Sequence, residues 1–222
     1  SSQHGYGVGL MSAGPRKGRY MLPLLIWSLA GCWTPSPNLT RGEVLFDTCR
    51  LCHGSDGLGN PGLQAPAIAG LPQWYIEGQL EKFRTGIRGV RPEDAPGMLM
   101  RPSAVALSEE EDIEAVVEHV ASLSPDREVS VVLEGQAELG AATYGGICSA
   151  CHGPDATGNE VLGAPPLVLL DAWYMLTQLR NFKTGIRGSH PRDTWGMTMK
   201  INADALSEDD MKDVITYIST LR

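Results

Sequence analysis

Apolar residues return every three to four positions over two stretches, first at Ile113, Val116, Val117 and Val120, then at Met211, Val214, Ile215 and Ile218. That period is a helical stripe buried on one side. A helix-start signal precedes each stripe, Ser108-x-x-Glu111 and Ser207-x-x-Asp210, in which a hydroxyl and a carboxylate satisfy free amides of the first turn. Thr40 with Glu43 predicts another capped helix through Val44, Leu45 and Phe46. Middle helices are expected from about Pro72 to Thr85 and from Asp171 to Thr184, with Gly- and Pro-rich stretches between the helices. No period-two alternation persists, so the fold class is all-α.

The chain also repeats itself. Laid on itself with an offset of 99, residues 49–109 match 148–208 at 31 of 61 positions without a gap. Trp74-Tyr75 returns as Trp173-Tyr174, Gln79-Leu80 as Gln178-Leu179, and Thr85-Gly86-Ile87-Arg88-Gly89 as Thr184-Gly185-Ile186-Arg187-Gly188. A repeat of this length predicts two small globular domains, 39–124 and 135–222, joined by a linker at 125–134. One detail departs from the repeat: Gly42 lies seven residues before Cys49, whereas Gly140 lies eight before Cys148. The first helices are therefore expected out of register and differently packed.

Composition narrows the function. A formal charge of -8 and a pI near 5.1 offer no basic field for phosphate backbones, which excludes nucleic-acid binding. No apolar run approaches the ~20 residues of a membrane-spanning helix. Residues 1–31 instead have the order of an export signal, with Arg16, Lys17 and Arg19 ahead of an apolar stretch at 20–30. Leu29-Ala30-Gly31-Cys32 resembles the lipobox of bacterial lipoproteins, which implies acylation of Cys32, a short tether at 32–38 and a membrane-anchored protein on the periplasmic or other extracytoplasmic face. Loss of residues 1–31 would leave 15 basic against 26 acidic residues, a charge of -11.

Four of the five cysteines carry the candidate chemistry. Cys49 and Cys52 are followed at once by His53, and Cys148 and Cys151 by His152. C-x-x-C-H is the attachment motif of c-type haem: two thiols three positions apart reach two vinyl groups of one porphyrin, and the next side chain meets the iron. A structural zinc site would place two C-x-x-C pairs about 15–20 residues apart, whereas 95 residues separate these. Two covalent haem c groups are the expected cofactors. A second axial ligand must come from late in each unit, which offers Met98 and Met100 in the first and Met197 and Met199 in the second. Arg88 and Arg187 suit haem propionates, because a guanidinium matches a carboxylate bidentately. Trp74, Tyr75, Trp173 and Tyr174 add N–H and O–H donors there, or pack on the porphyrin.

On these motifs, together with the G-M-x-M and L-S-E strings that follow them, residues 39–222 resemble the tandem dihaem cytochromes of the cytochrome c-four kind, two class I c-type cytochrome domains in one polypeptide. The resemblance implies Met100 and Met199 as the axial partners of His53 and His152, seven residues before Leu107 and Leu206. It also implies that the carbonyls of Pro66 and Pro165, thirteen residues after the histidines, orient the imidazoles. The expected role is electron transfer, not catalysis: an iron held on both sides has no vacant site for a substrate. The implied partners are a quinol-oxidising complex as donor and a haem–copper oxidase or other terminal reductase as acceptor. A dihaem peroxidase, a thiosulfate-oxidising enzyme and a fixed subunit of a respiratory supercomplex are the alternatives.

Overall fold

The computed structural model describes residues 39–126 and 133–222; the leader, the Cys32 lipobox and most of the linker lie outside the described residues. Both described halves belong to one compact unit, Pro37–Arg222. The first half is built from α1 (Arg41–His53), α2 (Gln73–Arg84), α3 (Ala95–Ala106) and α4 (Glu110–Ser122). The second has α5 (Ala137–Thr143), α6 (Ser149–His152), α7 (Ala172–Lys183), α8 (Thr194–Asp204) and α9 (Glu208–Ser219). Among the described residues there is no strand, only an isolated bridge in each half, Asn60 with Ala65 and Asn159 with Ala164. The all-α class is as expected.

In each half the first helix crosses the last. The apolar stripes read from the sequence are the buried faces of α4 and α9. Gly42 and Gly140 allow the crossing, since an added Cβ would lie 2.3 Å from the Ala115 carbonyl oxygen in one half and 2.0 Å from that of Asp213 in the other. The two crossings are thus equivalent, contrary to the expectation of different packing. A π-helical turn, Tyr144–Cys148, sits between α5 and α6 and takes up the one extra residue. Tyr144 thereby packs against Tyr217 at 5.5 Å between ring centroids, as Phe46 packs against His119 at 5.0 Å.

Two sequence expectations need correction at the helix starts. Ser207 forms its capping box with Asp210 and Thr40 does so with Glu43, but α4 starts one residue late, with Glu109 at its N-cap and no side-chain cap. The run Glu109-Glu110-Glu111-Asp112 holds one more acidic residue than its counterpart Glu208-Asp209-Asp210, and the cap falls on Glu109 instead of Ser108. The Gly- and Pro-rich stretches also contain α3 and α8. Asp94 and Asp193 cap them by accepting from the Gly97 and Gly196 amides, and Pro96 sits in the first turn, where its missing N–H costs nothing. Their apolar spacing is too irregular to announce a helix. They nevertheless carry all four candidate methionines.

Because Gly140 meets backbone rather than a flexible side chain, Gly140→Ala must push α5 off α9. Denaturant unfolding of the variant is expected to show a loss of about 1–3 kcal/mol; unchanged stability would contradict the crossing.

Candidate functional site

Each half encloses a cavity against its C-x-x-C-H turn. In the first, Cys49, Cys52, His53, Pro66, Arg88 and Met100 are among the lining residues; in the second, Cys148, Cys151, His152, Pro165, Arg187 and Met199. The walls are otherwise mostly apolar, from Phe83, Leu107 and Val116 in one to Phe182, Leu206 and Val214 in the other. The second cavity is the smaller, about 140 Å³ against about 250 Å³. Trp195 lines it and packs on Gly163, where an added Cβ would come within 2.4 Å of the indole; the repeat places Pro96 and Gln64 at the matching positions.

Both histidines are buried and held from behind. His53 Nδ1 donates to the Pro66 carbonyl at 2.8 Å and His152 Nδ1 to that of Pro165 at 3.0 Å, so Nε2 keeps the lone pair that an iron requires. Burial holds both imidazoles below their usual pKa, outweighing the carbonyl bonds that act the other way. Burial, then the neighbouring Cys151, pushes the Cys148 thiol up to about 11, and burial also raises that of Cys49. The methionine pairs are divided by the fold. Met100 and Met199 line the cavities, whereas Met98 and Met197 line neither and are 45% and 36% exposed.

The polar ends of the two cavities meet. Tyr75, Gln79, Tyr174 and Gln178 line both. Arg88 donates to its own half's Gln79 at 2.6 Å and across to Gln178 at 3.4 Å and the Tyr174 hydroxyl at 3.5 Å. Arg187 mirrors it, to Gln178 at 2.7 Å and across to Gln79 at 3.4 Å. Each guanidinium also stacks over a phenylalanine, Phe83 or Phe182, at 4.4 Å. Both arginines are buried, yet Nε of each has no hydrogen-bond partner, and neither does the buried indole N–H of Trp173. Arg88 and Trp173 line the first cavity and Arg187 the second, so an anion bound there would meet cationic and N–H donors that lack partners. A haem fits this site: two thiols and an imidazole at one wall, a thioether on the opposing helix, apolar surfaces for the macrocycle, and cationic donors for the propionates.

Some of this departs from the sequence reading. Trp173 lines the cavity of the first half, not its own, and Trp74 lines neither, packing beside Tyr75 at 5.7 Å. Gln79 and Gln178 join the site without a motif of their own, and their return in the repeat is the one sequence signal for them. Lys82 was missed because the repeat does not keep it: the matching residue is Asn181. It crosses to the second cavity and pairs with Asp193 at 2.7 Å.

Comparison with known proteins agrees with this geometry. The cytochrome c family model matches residues 39–124 and again 137–222. The thiosulfate dehydrogenase electron acceptor of Stutzerimonas stutzeri is 30% identical, over 78% of each chain. Subunit CcoP of the cbb3-type cytochrome c oxidase of Rubrivivax gelatinosus is 36% identical over 57% of this chain, which spans only 38% of CcoP. The solved structure of cytochrome c4 from Acidithiobacillus ferrooxidans superimposes with a TM-score of 0.63 at 26% identity, covering 78% of this chain and 99% of that one. Two matched domains, each with its own C-x-x-C-H turn and a mostly apolar cavity against it, make this chain a member of the cytochrome c family, a relative of cytochrome c4 with two covalent haem c groups.

Proposed function

We propose that the protein is a membrane-tethered electron carrier, taking electrons from a quinol-oxidising complex and passing them to a haem–copper oxidase or another terminal reductase. The observation that carries this reading is the pairing, in each cavity, of a back-bonded histidine with a methionine on the facing helix. In this reading Cys49 with Cys52 and Cys148 with Cys151 form the thioether links, and His53 with Met100 and His152 with Met199 hold the irons. When bound, each haem supplies one reversible electron between ferric and ferrous iron. The residues do the rest. The methionine sulfurs favour the ferrous state and raise the potential. The proline carbonyls fix the imidazoles, and the apolar walls keep water from the axial positions. Arg88, Arg187 and the Trp173 indole neutralise and bind the propionates where the halves meet. Cys32 is the proposed lipid anchor.

A thiosulfate-oxidising enzyme as donor is the second reading, favoured by the likeness to the thiosulfate dehydrogenase electron acceptor. In either case the partner surface is acidic. Residues 40–124 carry a net charge of -6 and residues 135–222 one of -3, although part of the run at 109–112 is taken up internally, Asp112 by Arg41 and Glu110 by Arg84 at 4.0 Å.

Two outcomes are expected. Met100→Ala and Met199→Ala should each remove about half of the near-infrared charge-transfer band of the oxidised protein, while Met98→Ala and Met197→Ala leave it intact; loss of the band from the latter pair would reverse the ligand assignment. Electron exchange with a basic redox partner should slow severalfold between 0.01 M and 0.15 M salt, as the screening length falls from ~30 Å to ~8 Å; a rate indifferent to salt would remove acidic docking.

A further inference from the structure

The carbonyl that holds His53 and the amide of Ala67 belong to one peptide group. Its oxygen, on Pro66, accepts from His53 Nδ1 at 2.8 Å, and its N–H donates to Asp171 Oδ2 at 2.9 Å. Asp171 comes from the other half, 104 residues further on. It stands at the N-cap of α7, yet its side chain makes no cap bond to that helix. A continuous hydrogen-bonded line thus runs from a carboxylate of the second half, through one peptide, to the imidazole of the first. The repeat does not reproduce it. Pro165 holds His152 in the same way at 3.0 Å, but the following residue is Pro166, which has no N–H to donate. The position matching Asp171 is Pro72.

We propose that Asp171 is a positioning residue that acts across the domain junction to lower the reduction potential of the haem in the first half alone. The inference rests on His53 being an axial ligand, as read under Proposed function. A carboxylate bonded to the N–H polarises the peptide and places more negative charge on the Pro66 oxygen. Hydrogen bonds in such a chain strengthen one another, so His53 gives up more of its Nδ1 proton density and becomes the more anionic ligand. That stabilises ferric iron over ferrous iron. The second half lacks both the donor and the acceptor, so an internal control is built into the same polypeptide.

The test is a redox titration of the two-haem protein followed at individual haem methyl resonances, assigned to their halves by contacts to Leu99 in the first cavity and Trp195 in the second. Asp171→Ala is expected to shift the first haem toward the ferrous state by about tenfold, ~59 mV for one electron, and to leave the second in place. Asp171→Asn keeps an acceptor without the charge and should shift it less, in the same direction. Ala67→Pro copies the second half, removes the N–H and with its ring displaces the carboxylate from that position, and should act like Asp171→Ala; combining the two should add nothing further. Should Asp171→Ala fail to load two haems, Asp171→Asn and Ala67→Pro carry the test. Equal shifts in both haems, or no shift in the first, would overturn the proposal. So would a silent Ala67→Pro beside an effective Asp171→Ala, since the carboxylate would then act as a charge through space. The near-infrared band of the Met variants reports on axial ligation separately, so failure there is distinguishable from failure here.

Discussion

Two buried guanidinium groups at the meeting point of two cavities are the constraint on which the structure turns. An ion taken out of water costs several kcal/mol unless it is paired, and Arg88 and Arg187 donate their hydrogen bonds to glutamine and tyrosine oxygens, not to a carboxylate. Each is left with an unsatisfied Nε. An anion at that meeting point would relieve both groups, which is the part that the proposed function gives to the haem propionates. The contacts also explain why the halves are not independent beads. Each arginine reaches a glutamine of the other half, Lys82 pairs with Asp193, and Asp171 bonds to Ala67, so the chemistry of either site includes residues of its neighbour.

This sharing divides what the sequence reveals from what it hides. Features that serve one domain in the same way twice were legible: the C-x-x-C-H turns, the stripes of α4 and α9, the arginines, and the prolines whose carbonyls hold the histidines. The π-turn at Tyr144–Cys148 was visible only as a one-residue discrepancy, and only the packing of Gly140 on α9 shows what that discrepancy is for. Helices α3 and α8 were hidden because much of their apolar surface is exposed, at Met98, Leu99 and Val105 in one and Met197 and Ile201 in the other, which blurs the helical period. Contacts across the junction were hidden for a different reason. Nothing in the local spacing of Trp173 or Asp171 says that either belongs to the other half's site.

The two cavities are similar, and several of their differences lie among the residues around them. Trp195 lines one cavity where Pro96 lines the other, Lys82 faces one cavity where Asn181 is the matching residue, and Asp171 touches one histidine-holding peptide where Pro166 forbids the same bond in the other. All of these change the surroundings of an iron without changing the residues proposed to ligate it. For a carrier that moves single electrons, surroundings are where two copies of one domain can become unequal.

Electron paramagnetic resonance of the oxidised, fully loaded protein tests the central claim most directly, because spin state reports whether both axial positions of each iron are filled by the polypeptide. Two low-spin ferric signals and no high-spin fraction are predicted. A high-spin signal amounting to one iron per chain would mean an open coordination site, and would contradict a protein that only carries electrons.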